Sequence, residues 1–159
     1  MTNFPDSEFI DASHVRPTAA QMELAERFRT LWLDDMRRAL AFPMRLTSFV
    51  RIGSGTHNGN SLDLQPCRTC GGVTISQALF DRRLQLMYEW LGINRPHAFG
   101  ALIHERDHIH VTLPGFQNRT GVVLREPREG IYVPESLRPV LAIAPLFAVG
   151  ALAYLLLRA

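Results

Sequence analysis

The chain has 159 residues, 47% of them apolar, which suits one compact domain with a real core plus extra segments. Its net charge of +2 is too small to argue for a nucleic-acid partner, and none is expected. The first residues, MTNFPDSEFIDASHVRP, lack the basic-then-apolar pattern of a secretory signal.

Residues 1–16 read as an irregular arm, and residues 17–118 as one folded domain. Over residues 18–40, Met22, Leu24, Ala25, Phe28, Leu31, Trp32, Met36 and Leu40 recur at helical spacing. This predicts one amphipathic helix with Thr18 as its N-cap, stopped by Pro43. MRLTSFVRI, rich in β-branched and aromatic residues, predicts a strand. GSGTHNGNSLDLQP is turn-rich and runs into a short alternating strand, SLDLQ. Cys67 and Cys70 follow as CRTC. With no second CxxC to complete a four-cysteine zinc site, the pair reads as a local disulfide or inert thiols, an auxiliary structural element, or a redox pair. SQALFDRRLQLMYEWLGI predicts a second helix, with Ser76 as cap and Gly92 near its end. Residues 99–103 and 108–113 predict a hairpin, and residues 114–136 a loop that merges into a linker over 119–138. The expected class is therefore α+β, a small antiparallel sheet with flanking helices.

Residues 139–157 carry no charge, and Arg138 and Arg158 flank them. About 20 apolar residues match the thickness of a bilayer core. Pro145 and Gly150 are tolerated in a membrane helix, so residues 139–158 are expected to form one transmembrane anchor. Arg125, Arg128 and Arg138 precede this span and only Arg158 follows it, which by the positive-inside tendency puts the domain on the cytoplasmic side.

The chemistry gathers in HERDHIHVTLPG, residues 104–115. On a strand, residues i and i+2 share a face. His108 and His110 then point together, while Ile109 and Val111 point into the core. Two adjacent imidazoles repel when both are charged, and a metal relieves that. THNGNSLD supplies further ligands at the ends of a glycine-rich turn. His57, Asp63 and His110 make a His₂Asp set, which suits a zinc ion with three protein ligands and one open position. Asp107 would be the general base toward a water that the metal acidifies. His108 would lie beside the site and donate a hydrogen bond to an oxyanion. The bland alternatives are a surface histidine, turn aspartates and a polar strand end. His104 and Glu105 read as residues of the hairpin tip.

With these residues in view, the chain resembles the zinc peptidases that cut D-alanyl-D-alanine or L-alanyl-D-glutamate bonds in bacterial cell walls. These are the D,D-carboxypeptidases and phage endolysins related to lysostaphin and the hedgehog domain. LTSFVR is similar to the family's TSGYR-like run, HNGNSLD to its SxHxxGxAxD motif, and DHIH to its carboxylate-x-x-His strand. The resemblance covers roughly residues 20–116. It implies a zinc-dependent hydrolase of the peptidoglycan stem or cross-link, with Arg51 binding a substrate carboxylate or carbonyl; an arginine suits that task as a bidentate clamp. Two departures stand out. The step from His57 to Asp63 is six residues where the family has seven, and Gly55 stands at the family's serine.

Two other functions compete. A His-hydrophobic-His pair also marks metal-dependent nucleases that attack single-stranded DNA with a tyrosine. Tyr88 is the one candidate for that role, and it lies in the apolar stripe of Leu84, Met87 and Leu91. A catalytically inactive, membrane-tethered peptidoglycan-binding module is the other.

Overall fold

The structure, a computed structural model, describes residues 4–53, 57–116, 122–128 and 131–134, the last two segments at the level of their backbone. It opens with a short helix, α1 (Asp6–Asp11). Next come α2 (Ala19–Phe28), a π-helical stretch (Arg29–Leu33) and α3 (Asp34–Leu40). Strands β1 (Met44–Val50), β2 (Asn58–Pro66), β3 (Thr69–Cys70) and β4 (Val73–Thr74) follow. The long helix α4 (Gln77–Asn94) leads to β5 (Ala101–His104), β6 (Ile109–Thr112), β7 (Val122–Arg128) and β8 (Ile131–Pro134).

The helix expected over residues 18–40 is there, with a capping box. Thr18 Oγ1 accepts from the Gln21 amide, and Gln21 Oε1 accepts from the Thr18 amide at 2.8 Å. The π-helical stretch adds a residue to the turn and rotates the buried face. As a result Trp32 and Leu33 are both fully buried. Ser76 caps α4 as expected, accepting from the Leu79 amide.

The α+β class holds, with a larger sheet than the sequence suggested. Six strands run in the order β1-β2-β6-β5-β7-β8. All neighbours pair antiparallel except β5 and β7, which are parallel. The loop and linker expected after residue 114 therefore contribute β7 and β8 to the sheet. Pro127 had argued against a strand, yet it falls at a register shift between Arg125 and Arg128, where the ladder tolerates a missing N–H. The arm expected to be irregular contains α1, too short to show periodicity. Its Phe9 packs edge-on against Phe49 at 5.1 Å, and Arg37 donates to both carboxylate oxygens of Glu8 at 2.9 Å. Cys67 and Cys70 form a disulfide that bridges the short connection from β2 into β3. Among the described residues no helix is long and apolar enough to cross a membrane; the anchor expected over 139–158 lies outside them, as does Gly55.

The core lies between the sheet and α2–α4. Leu62 and Leu64 of β2, Ile109 and Val111 of β6, and Leu102 of β5 point into it and are fully buried. Alternation then dictates that Ser61, Asp63 and Gln65 of β2, and His110 and Thr112 of β6, face the other way. These residues are also buried, and they build the site.

Candidate metal centre

Strand register places the first two ligands. β2 and β6 are far apart in sequence but adjacent in the sheet, and their pairing sets Asp63 opposite His110. On the other flank, Ser48 of β1 sits opposite Asp63. One row across three strands thus reads Ser48, Asp63, His110, and the next row pairs Ser61 with Thr112. Asp63 Oδ1 lies 2.8 Å from His110 Nδ1.

His57 cannot reach this row along a regular strand. Six residues of extended chain span about 20 Å. Instead the β1–β2 pairing shifts: β1 advances from Ser48 to Val50 while β2 retreats from Asp63 to Asn58. This bulge folds the start of β2 back, so that His57 Nε2 comes within 3.6 Å of Asp63 Oδ1. Gly59 makes the fold possible, with φ of +84° and its α-carbon pressed against α2, where an added Cβ would meet Gln21 Cγ at 3.0 Å. Gln21 Nε2 donates to Asn58 Oδ1 at 2.7 Å, and the Arg51 amide donates to the His57 carbonyl at 2.8 Å, tying the loop down on both sides. The shorter motif spacing therefore still delivers His57.

His57, Asp63 and His110 are 5%, 2% and 7% exposed, and their ligand atoms all lie within 4.8 Å of one another. The cluster could hold a metal ion. Its donor chemistry, two imidazoles and a carboxylate, fits the three-ligand sets that bind zinc with a position left open. The imidazoles of His57 and His110 stand nearly perpendicular, centroids 4.9 Å apart.

The electrostatics favour ligand protonation states. Burial pushes the His57 imidazolium down to about 4; Asp63 opposes this, and His110, Arg51 and His108 add to it. Burial would raise Asp63, but the hydrogen bond from His110 and the charges of the three histidines hold it below the ordinary carboxylate value. At neutral pH the pair is therefore a neutral imidazole beside a carboxylate, as metal binding requires.

The remaining residues named from sequence fall around this cluster. His108 and His110 share a face as alternation predicts: His108 Nε2 also lies 3.6 Å from Asp63 Oδ1. Burial alone would lower His108, but Glu105, Asp63 and Asp107 together raise it to about 9. Asp107 does not touch the three ligands. Its side chain is 75% exposed and its Oδ1 sits 2.7 Å from His108 Nδ1. Arg51 sits at the site, with Nη2 donating to Asp63 Oδ2 at 2.8 Å. His104 ends β5 rather than sitting at the hairpin tip, and its ring packs against Tyr88 of α4 at 5.2 Å.

Three participants escaped the sequence reading. Glu105, taken for a hairpin-tip residue, reaches His108 Nε2 with Oε2 at 3.1 Å. The Glu105 amide bonds the His108 carbonyl at 2.9 Å, so the tight turn itself brings the side chains together. Ser48 Oγ shares a hydrogen bond with His57 Nδ1 at 3.2 Å, and Thr112 Oγ1 shares one with His110 Nε2 at 3.3 Å. The signal for Thr112 was its place two residues after His110 on the same face; Ser48 depended on a register that sequence does not show.

No family model matches this chain, and neither the curated proteins nor the solved structures contain a match to it.

Proposed function

We propose that this protein is a zinc-dependent peptidase that hydrolyses peptide bonds in the peptidoglycan stem or cross-link. The observation that carries the reading is the buried convergence of His57, Asp63 and His110 from two non-adjacent segments. A buried carboxylate among imidazoles is costly to desolvate, and a bound cation offsets that cost. When bound, zinc would supply a Lewis acid that polarises a carbonyl and acidifies water.

In this reading Asp107 accepts a proton from the attacking water. His108, held at Nδ1 by Asp107 and facing the cluster through Nε2, stabilises the developing oxyanion. Arg51, 41% exposed at its side chain, meets a substrate carboxylate or carbonyl at the rim while it contacts Asp63. The apolar segment over 139–158 anchors the domain to a bacterial or virion membrane, in keeping with a lysis or entry role of a phage. Protease accessibility of the domain in intact spheroplasts tests its side of the membrane; cleavage from outside overturns a cytoplasmic placement. The nuclease alternative draws no support from Tyr88, which is 4% exposed and packed in the core.

The deciding experiment loads the full-length chain, purified in mild detergent, with zinc and digests purified peptidoglycan, reading the products by mass spectrometry. New peptide termini that vanish with chelator and return with zinc are expected. Zinc bound without hydrolysis points to the binding module instead, and cleavage of single-stranded DNA to the nuclease.

A further inference from the structure

Helix α4 carries apolar residues on two sides. Phe80, Leu84, Met87 and Leu91 are buried in the core. On the opposite side of the helix Leu79 and Leu86 are each 39% exposed and Ile93 is 76% exposed. These three stand seven residues apart, close to two helical turns, so they lie in one row. Arg82 and Glu89, both exposed, complete the row between them. A lone exposed leucine is ordinary on a protein surface. A row that recurs every second turn along the helix is the seam by which one helix meets another.

Read along α4, the row is apolar, basic, apolar, acidic, apolar: Leu79, Arg82, Leu86, Glu89, Ile93. Reversed, it complements itself. Laid antiparallel about Leu86, two copies of the helix set Leu86 against Leu86 of the second copy and Leu79 against its Ile93. At a rise of 1.5 Å per residue, Leu79 and Ile93 each lie about 10.5 Å from Leu86 along the axis and come level. Arg82 at about 6 Å and Glu89 at about 4.5 Å come within about 1.5 Å of level, inside the reach of both side chains. The two ends of the contact then carry one arginine–glutamate pair each. A parallel pairing would set Arg82 on Arg82 and Glu89 on Glu89, and like charges disfavour it. Glu89 is held in place by Gln85, whose Nε2 donates to Glu89 Oε1 at 2.7 Å.

We propose that α4 is a self-association surface, through which two copies of this chain pair as antiparallel helices about a two-fold axis at Leu86. Such a contact uses the same residues on both copies and closes at two. One helix pair of this length covers on the order of 1,000 Å² in total, the small end for specific interfaces, so the dimer forms in proportion to concentration. α4 lies on the core side of the sheet, and His57, Asp63 and His110 face the other side. The dimer therefore leaves both candidate centres on its outer faces, open to substrate. The proposal is independent of the metal reading above.

The test uses the full-length chain in mild, density-matched detergent. Sedimentation at increasing protein concentration should show a monomer–dimer equilibrium, and monomer at every concentration overturns the proposal. R82E and E89R should each weaken the dimer about 10-fold, and R82E/E89R should restore it, because the double swap rebuilds both ion pairs. A dimer untouched by either single swap lies elsewhere and overturns the proposal. Cross-linking then reads the direction. Cys67 and Cys70 are tied to each other, so an introduced cysteine supplies the one free thiol. Under mild oxidation L86C should give a covalent dimer, L79C mixed with I93C a covalent heterodimer, and L79C alone none. L79C that cross-links to itself as readily as L86C shows a parallel pair, and L86C that stays single shows a row covered by something else; either overturns the proposal. The wild-type sedimentation needs no substitution, so a variant that fails to fold cannot shield the claim.

Discussion

The two faces of β2 are both buried, for opposite reasons. Leu62 and Leu64 face the helices and have no exposure; Ser61 and Asp63, one residue away in each case, face the other side at 1% and 2%. The apolar face is stabilised by removal of hydrocarbon from water, roughly 1.5–3 kcal/mol for each large side chain. The polar face gains nothing of that kind. Its carboxylate, imidazoles and hydroxyls are tolerated because each finds a partner, and the partners converge on Asp63. One strand thus carries stability on one side and chemistry on the other, and the difference shows how little backbone a site requires once register is set.

Neighbouring substitutions separate the two faces most sharply. Asp63→Asn keeps the shape but removes the charge, and is expected to abolish zinc binding by equilibrium dialysis with a smaller loss of metal-free stability than its neighbour shows. Leu62→Ala should cost about 2–5 kcal/mol in chemical denaturation and still leave a folded fraction that binds zinc. If Leu62→Ala removed zinc binding from the folded protein while Asp63→Asn retained it, the division of labour would be wrong.

Within the polar face, Asp107→Ala distinguishes ligand from base. Zinc content should match the wild type, because Asp107 contacts His108 and none of the three ligands, while turnover on peptidoglycan falls about 10²–10⁴-fold. Full activity in this variant would remove Asp107 from the mechanism.

A smaller effect is expected where the faces meet the bulge. Gly59→Ala forces a side chain into a left-handed backbone conformation and against Gln21, which should cost about 1–2 kcal/mol of stability. Zinc affinity should fall with it, since His57 depends on this fold. Unchanged thermal stability would show that the bulge relaxes without strain.

A further set of effects is electrostatic and belongs to the metal-free protein. His57 is lowered from 6.5 to about 4, so the folded state binds fewer protons than the unfolded state between those values. Its contribution is present above pH 6.5 and is lost as pH falls toward 4. His108 is raised from 6.5 to about 9, so its contribution is present below 6.5 and is lost as pH rises toward 9. Denaturation midpoints across pH should therefore show H57Q flattening the acid limb and H108Q the alkaline limb. A flattened alkaline limb in H57Q would reverse the assignment.

Much of this molecule could be read locally. The Thr18 cap, the helix to Leu40, the Ser76 cap, the hairpin of β5 and β6, and the shared face of His108 and His110 all follow from periods of 3.6 or 2 and from capping chemistry, which are properties of neighbouring residues. Short or punctuated segments were less legible. α1 offered too few residues for a period, and the prolines near β7 and β8 resembled loop signals because pairing partners are invisible in a linear chain. The ligand types at 57, 63 and 110 were also present in the sequence, as was the CxxC that became a disulfide. What only the tertiary structure decided was distance and orientation. The β2–β6 register put Asp63 against His110, the Gly59 bulge carried His57 back across six residues, and long-range packing set Ser48 on one ring nitrogen and Arg51 on one carboxylate oxygen. Sequence fixes which atoms a strand can offer and on which face; non-local pairing fixes which of them meet.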